Sequence, residues 1–117
     1  MKDFDELAFF ARLKERPGMY FGRPSLRSMA DLIAGMDHAF CLCGKENQFP
    51  LFKAFIDWYH KEVIRDQNGY ACWWNHLIYV SGGEDREAFD GFFRVFERYL
   101  KDIHAKTLPK AEVNNAP

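Results

Sequence analysis

Phe89, Phe92, Phe93, Phe96, Leu100 and Ile103 recur in steps of three and four, which lines six large apolar side chains along one face of an α-helix. A helix with such a stripe is stable only when the stripe is buried against another element. Ser81 and Glu84 have capping-box spacing, and Glu84, Asp85 and Glu87 place negative charge where a helix start favours it. Arg94, Arg98, Lys101, His104 and Lys106 gather toward the opposite end, where the helix dipole favours cations.

The same period organises most of the chain. Asp3 and Glu6 have capping-box spacing ahead of Leu7, Phe10, Ala11 and Lys14, predicting a first helix from about Phe4 to Glu15. Ser25 reads as the N-cap of a second helix, from Leu26 to Cys43, with Leu26, Met29, Ile33, Met36, Phe40 and Cys43 on one face. Gly35 interrupts that helix at a cost of roughly 1 kcal/mol relative to Ala, which a closely passing neighbour would explain. Phe49-Pro50 opens a third helix, with Phe52, Phe55, Ile56, Tyr59 and Val63 inward, and Asn68-Gly69 ends it. Between Tyr70 and Val80 the aromatic and β-branched residues suit a strand, yet Trp73, Trp74, Leu77 and Ile78 also fit a helical face. A short helix is favoured there, because no other stretch alternates with the period of a partner strand. The prediction is an all-α fold: a compact bundle of four to five amphipathic helices with short turns over residues 1–106, and a C-terminal tail over 107–117.

Residues Arg16 to Gly22, with Arg23, Pro24 and Ser25 behind them, are dense in punctuation. Pro17 disfavours helix at Arg16, and Gly18 and Gly22 admit unusual backbone angles. The expectation is an ordered joint in which Pro17 and Gly18 end the first helix, Met19 and Tyr20 are buried beneath the bundle and Ser25 starts the second helix.

Function is constrained mainly by exclusion. With a formal net charge of −1 and no run of basic residues, nucleic acid is not an expected partner. No apolar run reaches the ~18 residues of a membrane span, and the acidic start is unlike a signal peptide, so a cytoplasmic location is expected. Three cysteines agree with reduced thiols in that compartment. Cys41, Cys43, Cys72 and His76 form the one metal-like set, but Cys-x-Cys on a helix turns its sulfurs to different sides. Neither a metal nor another cofactor is expected. His38, His60, His76 and His104 lack a nucleophile or a metalloprotease motif beside them, so no catalytic residue is assigned and no enzyme is expected. Arg16, Arg23 and Arg27 read as partners of carbonyls and carboxylates, with anion binding as the alternative. Of Trp73 and Trp74, adjacent on a helix, one belongs in the core.

Arg16-Pro17-Gly18-Met19-Tyr20-x-Gly22 resembles a short stretch near the start of gyrase B-type ATPase domains. In that family the next helix supplies a catalytic Glu and a magnesium-binding Asn. Leu26 to Cys43 contains neither, so the likeness is local. Along roughly Phe4 to Leu100 the chain is also similar to a family of small single-domain bacterial proteins. Glu15 to Gly22, Ser25 to Gly35, Phe52 to Trp58, Trp73 to Ile78 and Glu87 to Phe93 carry that likeness. Many members look like immunity proteins encoded beside toxins. The resemblance implies a cytosolic binding protein that blocks a cognate bacterial toxin by contact. Expected partner-binding residues are Trp58, Trp74, Tyr79 and Arg23. The rival expectation is a small-molecule or nucleotide-binding module using the arginines around Arg16 to Gly22; a homodimer formed by exposed aromatics is a third.

Overall fold

The computed structural model describes residues 3–65 and 72–110. Its elements are α1 (Glu6–Glu15), α2 (Gly18–Phe21), α3 (Leu26–Leu42), α4 (Pro50–Trp58) continuing as a π-helical segment (Tyr59–Ile64), α5 (Trp73–Val80) and α6 (Asp85–His104). The fold is all-α, with no strand among the described residues. Residues 70–80 resolve to helix from Trp73 onward; the expected stop at Asn68-Gly69 lies outside the described residues.

Rings fill the centre. Phe10 of α1 lies 5.2 Å from Phe52 of α4 and 5.0 Å from Phe96 of α6, between ring centroids. Phe92 stacks on Phe96 at 5.2 Å, meets Phe55 edge-on at 5.5 Å and lies 5.6 Å from Trp73 of α5. Edge-on and offset pairs suit the ring quadrupole and contribute about 0.5–1.5 kcal/mol each beyond burial. From α3, Leu26, Met29 and Ile33 complete this interior.

Helix starts are satisfied across the fold as well as locally. Asp5, not Asp3, caps α1 by accepting from the Ala8 N–H at 3.0 Å. Glu6 is therefore free of the expected capping box. Its buried carboxylate instead accepts the Leu51 N–H at 3.1 Å and the Phe52 N–H at 2.7 Å, capping α4, whose own N-cap Phe49 has no side-chain acceptor. Burial pushes the Glu6 carboxyl above its ordinary value, against the pull of those two N–H groups. Ser25 caps α3 as expected, accepting the Ser28 N–H at 3.0 Å. Its hydroxyl also donates to Asp85 Oδ2, while Asp85 Oδ1 accepts the Arg27 N–H at 3.0 Å. One carboxylate in the first turn of α6 thus fastens the first turn of α3. The Ser81 and Glu84 box does not form: Ser81 closes α5 by donating its N–H to Leu77 and Ile78, and Glu84 is the extended N-cap of α6.

Several burial expectations fail for identifiable reasons. Met19 is 72% and Tyr20 38% exposed, not buried. A single helical turn has one inward direction, and Phe21 takes it, 6.1 Å from Phe89. Gly22 then ends the turn at φ 80°, a left-handed angle that glycine adopts without strain. Val63 is exposed because the π-helical segment changes the register; Ile64, five residues after Tyr59, packs on the core instead. Ile103 lies open at the end of α6, where Ala105 turns left-handed and Leu108 packs back against the core. Cys43 is exposed beyond the end of α3. Nothing packs over Gly35, so its expected close neighbour is absent.

Candidate functional site

The expected partner-binding residues fall in different settings. Trp58, at the end of α4, is half-buried against Phe55 and Tyr99 at 6.0 and 5.1 Å, a position at the margin of the core. Trp74 is half-buried near the start of α5, with the Arg27 guanidinium over its ring at 5.3 Å. That cation–π contact ties α5 to α3 and leaves part of the indole open. Tyr79, on the last turn of α5, is 82% exposed, and neighbouring Val80 is 58% exposed. Arg23 is exposed in the short connection between α2 and α3. Trp74 and Tyr79 are five residues apart, about 140° around the helix, so they address different directions. Among the described residues, no ring pairing joins Trp58, Trp74 and Tyr79.

The inner side of α5 is attached by both apolar and polar contacts. Trp73 and Leu77 are buried, as expected for one of the two tryptophans. His76, between them and the outer face, lies with Nδ1 2.7 Å from the Tyr59 hydroxyl. Burial pushes the Tyr59 phenol up to about 12. The phenol therefore remains protonated at neutral pH, and one hydrogen bond joins it to the imidazole Nδ1. This bond engages the histidine of the metal-like set. Cys41 and Cys43 are exposed on α3, and no three His, Cys, Asp or Glu side chains gather as metal ligands among the described residues.

The joint at Arg16 to Gly22 is structural in its visible contacts. The Arg16 N–H donates to Arg12 O at 2.9 Å and its Nη1 lies 3.8 Å from Met19 Sδ. Pro17 sits at the start of α2 and Gly18 opens it, so they do end α1. Tyr20 meets Phe9 edge-on at 6.2 Å while keeping its outer side open.

Sequence reasoning did not find the roles of Glu6 and Asp85, nor the Tyr59–His76 bond. All three join residues far apart in sequence, and only for Glu6 and Asp85 does an acidic residue near a helix start give a hint. No helix among the described residues is long and apolar enough to cross a membrane. No family model, curated protein or solved structure matches the chain.

Proposed function

We propose that this chain is a cytoplasmic protein-binding module, acting as an immunity protein that neutralises a cognate bacterial toxin by direct contact rather than by catalysis. The observation that carries the reading is Tyr79, an aromatic side chain 82% exposed on a helix whose other face is locked into the core. A rigid helix holding a tyrosine outward loses little entropy when a partner covers the ring, and tyrosine is among the residues that dominate interface energetics. Val80 beside it extends the apolar area.

The test is co-purification of the full chain with the product of the adjacent gene, followed by titration of the two. A complex is expected, and Tyr79→Ala should weaken it by about tenfold or more. Absence of a complex would overturn the reading. So would a rise in melting temperature with ATP or GTP that disappears in Arg16→Ala and Arg23→Ala, because it would place the chain among phosphate-ligand modules. Light scattering at low and high concentration separates a toxin-binding monomer from a homodimer.

A further inference from the structure

The solvent side of α3 carries Asp31, Gly35, His38 and Leu42 in steps of four, three and four, with Lys45 three residues further on, and all five are exposed. This spacing lines them along one seam, opposite the buried Leu26, Met29 and Ile33. Lys45 follows directly on Gly44, which turns left-handed at φ 74° just past the helix end. Leu42 is 76% exposed. Between Ala34 and Cys43 the only Asp, Glu, Lys or Arg is Asp37, and it faces Lys53 of α4 at 3.2 Å. Gly35 weakens the helix at the middle of this seam, yet nothing stands within 4 Å of the place its Cβ would take. The packing within one chain gives the glycine no purpose.

We propose that this seam is a contact between two copies of the chain, in which two α3 helices lie antiparallel across a two-fold axis beside His38. The order of charges selects a second copy as the occupant. Asp31 stands seven residues before His38 and Lys45 seven after it, so reversing one α3 over another sets each Asp31 beside the partner's Lys45. Neither residue has an ion pair within its own chain among the described residues. Arg27, one turn before Asp31, and Glu46, next to Lys45, repeat the opposition. The same reversal seats Leu42 over the partner's Gly35, where the missing side chain leaves it room. One helix face buries less than the ~1,200 Å² of a stable interface, so the dimer is weak, with a Kd on the order of 0.1 mM. At the lower concentrations of a toxin titration the chain is then a monomer, and the Tyr79 reading does not depend on this contact.

Sedimentation equilibrium of the full chain, from micromolar to millimolar concentration, should show a monomer passing into a dimer. Leu42→Glu should weaken the dimer by about tenfold or more, with an unchanged melting temperature because the side chain is open to solvent. Asp31→Lys should weaken it by about threefold, since like charges then meet at both ends. Adding Lys45→Asp to that variant should restore the dimer, which a general effect on folding would not do. A chain that stays monomeric at millimolar concentration overturns the proposal and leaves the seam to some other protein. So does a dimer indifferent to Leu42→Glu, or one that the double exchange fails to restore. A dimer lost in Tyr79→Ala and kept in Leu42→Glu belongs to the exposed aromatics and overturns it as well. None of these results alters the co-purification test of toxin binding.

Discussion

Helices α5 and α6 follow one another and both are rich in aromatics, yet they use them in opposite ways. In α6, Phe89, Phe92, Phe93, Phe96 and Leu100 share one inward line and all are buried. Along α5, Trp73 and Leu77 point inward while Tyr79 and Val80 are displayed. Their attachments differ too. The first turn of α6 holds α3 through Asp85, whereas α5 is held polar-side by His76 against Tyr59. Apolar residues confined to one helical face become core, and those spread around the helix leave some on the surface.

Removing the ring at the meeting point of the core probes the buried side of this contrast hardest. Phe92→Ala should cost about 3–5 kcal/mol by transfer and cavity terms, read from urea unfolding. Less should follow from Asp85→Ala, about 1–2 kcal/mol, since the Arg27 N–H and the Ser25 hydroxyl lose their acceptor; a melting temperature close to wild type would mean that water replaces the carboxylate. Tyr59→Phe should cost about 1 kcal/mol at neutral pH by leaving His76 Nδ1 without its hydrogen-bond partner.

That substitution also has a pH signature. The folded Tyr59 phenol is held at about 12 against an ordinary 10.0, so between those values the unfolded chain releases a proton that the folded chain retains. Stability is then lost as pH rises through this window, and Tyr59→Phe should flatten that loss in unfolding measured from pH 9 to 12. The smallest effect belongs to Tyr79→Ala, within about 0.5 kcal/mol of wild type in stability. A large loss would show that the Tyr79 ring supports the fold and break the contrast between the two helices.

The helices were largely legible because each carries an apolar stripe of local period. Ser25, the stripe from Phe89 to Leu100 and the burial of one of Trp73 and Trp74 all follow from spacing alone. Errors arose where a single feature redirected a side chain. Glu6 had a local partner available by spacing and took a distant one; Val63 fits an α-helical stripe and is displaced by a π-helical turn that no residue type announces. Size alone sends Tyr20 and Met19 inward, but a turn of four residues has room to bury only one of its rings well.

Glu6 also bears on the order in which the chain can assemble. It lies 45 residues before Leu51, so the acceptors for the first turn of α4 arrive only when the ends of a long loop have met. Without a local cap, the nine α-helical residues ahead of the π-helical segment are poorly held on their own, whereas the 20 residues of α6 carry their own stripe and favourable terminal charges. Excised peptides should reflect this, with residues 50–58 showing no helical circular dichroism and residues 85–104 showing some; comparable helicity in both would remove the dependence. The amino-terminal segment is in this sense a late clasp, closing a helix that the middle of the chain cannot hold by itself.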